Sequence, residues 1–179
     1  MSDTVVLVVD MMNTYQHEDA EVLADNVAAI IDPLSKLVAE ARRRDDVDLI
    51  YVNDNYGDFS TEFGDLVTNA LNGARPELVK PIEPDDGCRF MTKVRHSAFY
   101  ATSLAYLLNQ LEPRRLVLTG QVTEQCILYT ALDAYVRHFP VVVPRDGVAH
   151  IDAGLGEAAL QMMERNMDAE VVAAAECLP

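Results

Sequence analysis

An acid, an ammonium and a thiol each fall where a strand-like apolar run of this sequence ends. Asp10 directly follows Thr4–Val9, Lys93 closes Arg89–Lys93, and Cys126 follows Arg115–Thr119 by the turn Gly120-Gln121-Val122-Thr123-Glu124-Gln125. Asp, Lys and Cys together suffice for thiol-based acyl transfer. The sulfur attacks a carbonyl carbon, the carboxyl carries a proton, and the ammonium holds negative charge in place. A cysteine just inside a helix meets unpaired backbone N–H groups and the positive end of the helix dipole, so an activated thiolate is expected at Cys126. The same N–H groups offer a place for an oxyanion. Each residue also has a plain reading: Asp as a turn former, Lys as a solvated charge, Cys as small core filling. Their common position at strand ends is what argues for a site.

The elements that must position them alternate along the chain. Thr4–Val9 is continuous and β-branched, as a strand buried on both faces should be. Glu21–Arg44 repeats apolar residues at helical spacing, and Asp48–Asn53 reads as the next strand. Thr61–Leu71, Thr102–Leu111, Glu124–His138 and Asp152–Met167 read as helices, and Val141–Pro144 and Glu170–Ala174 as further strands. Gly73–Gly87 is rich in Pro, Gly and acid and reads as irregular. The fold class expected is α/β, a three-layer, six-stranded, mostly parallel sheet with helices on both faces, built as one domain over residues 1–179. In such a sheet ligands bind at the carboxyl ends of the strands, where Asp10, Lys93 and Cys126 all lie. Specificity is expected from the loops within Asn53–Asp86.

Bulk composition bounds the function. The 179 residues are half hydrophobic and carry a net charge of −15. Such a surface repels nucleic acid and anionic membranes, and neither is expected as a partner. No apolar run approaches the ~20 residues that span a bilayer. The three cysteines, Cys88, Cys126 and Cys177, form no zinc or disulfide pattern, which points to a reducing, cytoplasmic setting. Cys88 and Cys177 read as structural or incidental, with Cys177, near the C-terminus, exposed. Met162, Met163 and Met167 read as one packing face of the last helix.

Four segments in order resemble the isochorismatase-like cysteine hydrolase superfamily, whose members include nicotinamidases and N-carbamoylsarcosine amidohydrolases. Val5-Val6-Leu7-Val8-Val9-Asp10-Met11-Met12-Asn13-Thr14-Tyr15 resembles its opening strand and D-x-x-N-x-aromatic motif. Lys93-Val94-Arg95-His96-Ser97-Ala98-Phe99 is similar to its K-x-x-x-S-A-F segment. Gly120 to Cys126, with Thr130-Ala131-Leu132-Asp133-Ala134, looks like its nucleophile turn and helix, and Asp146-Gly147-Val148-Ala149 its D-x-x-A. The resemblance implies Cys126 as nucleophile, Asp10 as general acid and base, and Lys93 as third member. It further implies a cis peptide at Gln121–Val122, an oxyanion hole from the Val122 and Cys126 N–H groups, and Tyr15 flanking the substrate. Asn13, Asn55 and Tyr56 are further pocket candidates. His96 either lines the pocket or sits at the surface.

Departures from the family pattern narrow the expectation. Gln121 stands where an apolar residue is usual, and Glu124 where Asp is common. Tyr51-Val52-Asn53-Asp54-Asn55-Tyr56-Gly57-Asp58 lacks the Asp-x-His of the nicotinamidase branch, and none of His17, His96, His138 and His150 lies there. A single Asp54 is a poor transition-metal site, so no metal and no cofactor are expected. The expected function is metal-independent hydrolysis of a C–N bond in a small amide, ureido or carbamoyl compound through a thioester on Cys126. The expected assembly is a homodimer or homotetramer. The alternatives are a catalytically idle member binding a metabolite or partner protein, and a nicotinamidase-type enzyme. A flavodoxin-like protein is disfavoured, because Asp10-Met11-Met12-Asn13 has no glycine to cradle a phosphate.

Overall fold

The sheet follows from burial on both of its faces. In the computed structural model, which describes residues 3–178, all six residues of β1 (Thr4–Val9) are buried. The remaining strands are β2 (Val47–Asp54), β3 (Arg89–Lys93), β4 (Arg115–Gln121), β5 (Val141–Pro144), β6 (Val148–Ala149) and β7 (Glu170–Val172). Their order is β3-β2-β1-β4-β5-β7, with β6 pairing β4, and every pairing is parallel. Side chains alternate across a strand. Val5, Leu7 and Val9 accordingly pack with α3 (Leu104–Leu111), α4 (Leu128–Tyr135) and α5 (Ala153–Met167). Val8, on the other face, packs with α1 (Ala20–Arg43) and α2 (Phe63–Leu71), and Val6 with the C-terminal turn of α1. Three layers result.

Register brings the strand ends level. Val9 lies opposite both Val52 and Gly120, and Asp54 lies opposite Lys93. Asp10, Asp54, Lys93 and the turn after Gly120 therefore share one edge. The edge strand β3 inverts the usual burial: Phe90 is exposed while Lys93 is buried.

Several expectations need adjusting. β6 adds a seventh strand; two residues are too few to show a period-two pattern. The helix expected over Glu124–His138 opens as a π-helical turn, Thr123–Ile127, and only then becomes α4. Cys177 is buried, not exposed, its thiol donating to the Ala173 carbonyl at 3.6 Å, because the last turn folds back onto Val6 and Val117. Met163 and Met167 are buried, but Met162 faces outward, since helical spacing turns adjacent residues about 100° apart. No helix among the described residues is long and apolar enough to cross a membrane.

The approach to the turn after β4 depends on Gly120. Its φ is +106°, and a Cβ there would lie 2.2 Å from the Val9 carbonyl oxygen. Only glycine allows β4 to pass this close to β1 at the site's edge. Gly120→Ala is expected to destabilise the protein by about 3 kcal/mol, lowering Tm by roughly 6–12 °C in thermal unfolding. An unchanged Tm would contradict this reading of the contact.

Candidate active site

Asp10, Lys93 and Cys126 meet in one buried cluster. Asp10 begins the loop after β1 with a positive φ of 54°, a conformation that Asp tolerates better than most residues. Two backbone contacts fix it: its N–H donates to the Val52 carbonyl at 2.9 Å, and its Oδ1 accepts from the Asp54 N–H at 2.7 Å. Its Oδ2 lies 2.9 Å from Lys93 Nζ. The same Nζ lies 3.1 Å from Asp54 Oδ2 and 3.6 Å from Cys126 Sγ. The Lys93 side chain has no solvent exposure. An ammonium has three N–H donors, and these three neighbours account for all of them.

The electrostatics correct the expectation of a thiolate at rest. Burial, then the nearby Asp10 carboxylate, push the Cys126 thiol well above its ordinary value, and Lys93 only partly offsets them. Sγ is also within hydrogen-bond reach of the Asp10 carboxyl. Burial raises Asp10 as well, against the opposing pull of Lys93. Burial works against the Lys93 ammonium too, but Asp10, Cys126 and Asp54 outweigh it and hold Lys93 protonated. Burial thus favours the protonated thiol at Cys126, beside the Asp10 carboxyl. A helix-dipole argument missed this because Cys126 sits in the π turn, where desolvation exceeds the dipole's help.

The remaining candidate residues divide by location. The Gln121–Val122 peptide is cis, and Val122 and Cys126 lie in the same buried turn. Gln121 Nε2 donates to the Asp10 carbonyl at 2.6 Å, and Gln121 Oε1 accepts from the Tyr15 hydroxyl at 3.4 Å. Tyr15 is thus buried behind the cluster. Asn13 is occupied by a turn, its Oδ1 accepting from the Tyr15 N–H at 2.7 Å. Asn55 is buried next to Lys93, whose carbonyl accepts its N–H at 2.9 Å, and its Oδ1 accepts from Gly57. Tyr56 is exposed overall, but its hydroxyl turns inward and donates to the Met12 carbonyl at 3.3 Å. Burial, with Asp10 adding to it, raises that phenol. His96 lies at the surface with its ring 5.3 Å from that of Tyr129.

Asp54, Asn53 and the Gln121 side chain carry roles that the sequence pattern did not assign. Asn53 ties the Asp10 loop to β2, accepting from the Met12 N–H at 2.9 Å and donating to its carbonyl at 3.2 Å. Glu124 Oε1 accepts from the Ile151 and Asp152 N–H groups, both at 2.9 Å, anchoring the turn to the start of α5. No three His, Cys, Asp or Glu side chains among the described residues converge as metal ligands. The Asp54 carboxylate is already engaged by Lys93 and by the Tyr56 N–H.

The family model for the isochorismatase domain matches residues 4–176. The chain belongs to the isochorismatase family. It is 34% identical over 170 residues to the uncharacterized isochorismatase family protein YaaI of Bacillus subtilis, covering 95% of this chain and 93% of that one. It is 28% identical over 165 residues to a maleamate amidohydrolase of Pseudomonas putida, covering 87% and 76%. The fold superposes on an N-carbamoylsarcosine amidase from Thermoplasma acidophilum with a TM-score of 0.76, at 26% identity and 98% coverage of both chains.

Removing the ammonium exposes its role in stability. Lys93→Met leaves Asp10 and Asp54 without their counter-charge and is expected to cost about 3–5 kcal/mol near neutral pH. Without Lys93, the folded Asp10 binds its proton still more tightly than the unfolded chain, whose Asp titrates near ~3.9. Stability of the variant therefore rises as pH falls through the raised folded value. Urea unfolding across pH should show a deficit against wild type that shrinks as pH falls. A deficit that grows as pH falls would contradict the assignment.

Proposed function

We propose that the protein is a metal-independent hydrolase that cleaves a C–N bond of a small amide, ureido or carbamoyl compound through a thioester on Cys126. The observation that carries the proposal is the contact of one buried ammonium with both Asp10 and Cys126, at 2.9 and 3.6 Å. The amidohydrolase and amidase named among its relatives support the reaction class.

In the proposed reaction, Cys126 Sγ attacks the carbonyl carbon while its proton passes to Asp10. The oxyanion lodges at the N–H groups of Val122 and Cys126. The free Val122 N–H, which no acceptor takes among the described residues, supports that placement. Asp10 then hands its proton to the leaving nitrogen, the C–N bond breaks, and ammonia or an amine departs. Water attacks the thioester, Asp10 takes its proton, and the thiol is restored as the acid leaves. Lys93 keeps its charge throughout and offsets the negative charge that moves between sulfur and carboxyl. The same proposal takes the protein as a cytoplasmic homo-oligomer. Three unpaired cysteines support the first part, and the exposed Tyr129, Leu132 and Tyr135 of α4, with Val136 just after it, support the second.

Ammonia release from a panel of small amides, ureides and carbamoyl amines tests the reading. Cys126→Ala should reduce turnover of any active member by about 10³-fold or more, with the thioester seen as added mass on the Cys126 peptide of wild type. Turnover that survives Cys126→Ala, or wild type inert across the panel, would contradict it.

A further inference from the structure

We propose that Asp54 is a positioning residue for proton transfer: by sharing the Lys93 ammonium with Asp10, it makes Asp10 rather than solvent the acceptor of the Cys126 proton. The inference rests on the proposed roles of Cys126 and Asp10 and assigns one to a residue outside that pair and Lys93.

The geometry is a closed ring. The Asp54 N–H donates to Asp10 Oδ1 at 2.7 Å, while its carboxylate takes Lys93 Nζ at 3.1 Å, and that Nζ returns to Asp10 Oδ2 at 2.9 Å. The second Asp54 oxygen accepts from the Tyr56 N–H at 2.8 Å, which locks the carboxylate's orientation. With both carboxylates ionised, Lys93 protonated and the thiol neutral, the cluster carries a net charge of −1. Losing the thiol proton to solvent would leave −2 in a buried cluster, whereas passing it to Asp10 keeps −1. Asp54 is thus the charge that closes the first route and leaves the second open. The other titratable groups facing the cluster are the Tyr56 and Tyr15 phenols, both pushed up by burial and neutral near pH 7. Arg75 and Glu77, which act on Tyr15, pair with each other, and Glu124, in the Cys126 turn, is held by the Ile151 and Asp152 N–H groups. The Asp54 side chain is 23% exposed, so its influence is partly screened and belongs at the low end of the ~1–3 pH units that a neighbouring charge exerts.

Asp54→Asn removes the charge and keeps an oxygen for the Tyr56 N–H. Two measurements separate electrostatic positioning from mere support: iodoacetamide alkylation of Cys126, read by peptide mapping across pH, and turnover. With Asp54 neutralised, Lys93 acts undivided on Cys126 and Asp10. The alkylation midpoint should fall by about one pH unit, with about tenfold faster alkylation below it. Turnover should fall by about tenfold, because Asp10 is then a weaker base and a poorer acceptor of the Cys126 proton. Asp54→Glu should restore the midpoint toward wild type, and Asp54→Ser, which also removes the charge, should repeat the Asn result. Cys88 and Cys177 alkylation should not change. A midpoint unmoved in both neutral variants, alkylation and turnover falling together, or faster alkylation at all three cysteines would overturn the proposal. Cys126→Ala turnover judges the thioester reading separately, since the alkylation profile of the free enzyme needs no substrate.

Discussion

The structure depends on one buried ammonium. Lys93 ends an edge strand whose other side chains are exposed or half-buried, yet its own has no contact with solvent. An isolated cation at that depth would be costly, and it is tolerated because three acceptors surround it. Those acceptors come from the ends of β1 and β2 and from the turn after β4, so a single charge fastens four neighbouring chain segments at one edge of the sheet. The positive φ of Asp10 and the close passage of Gly120 over Val9 are local departures that this convergence requires.

The cluster's chemistry follows from its charge more than from any one residue's reactivity. A cysteine near a lysine suggests a thiolate, but burial and the Asp10 carboxylate reverse that inclination. In the proposed reaction the pair is a thiol and a carboxylate that exchange a proton without changing the net charge of the cluster. On that proposal the sulfur stays protonated until a carbonyl is in place to accept its electrons, and a proton is left on Asp10 when the leaving nitrogen needs one.

Much of this was legible in the chain itself. Continuous β-branched runs marked the strands, and the ends of those runs marked the edge where Asp10, Lys93 and Cys126 gather. Strand order was not legible, and Asp54 was lost with it. Because β2 lies between β1 and β3, its last residue necessarily stands between Asp10 and Lys93, whereas sequence alone weighed Asp54 only as a metal donor. The Gln121 side chain looked like a conservative departure; its amide in fact holds the Asp10 carbonyl. Tyr15 and Asn13 looked like pocket residues from the motif they complete; the hydrogen bond that closes the left-handed turn between them, and the reach of Tyr15 to Gln121, were not legible there. Such contacts join residues more than a hundred positions apart, beyond the reach of any local pattern.

The ionisation state of Cys126 in the free protein tests the central claim most directly. The thiolate's ultraviolet absorbance, titrated against pH in wild type minus Cys126→Ser, should show no ionisation of Cys126 through the neutral range and a midpoint above the ~8.5 of a free cysteine. A thiolate already formed below about pH 7, far under that reference, would contradict a neutral thiol that gives its proton to Asp10.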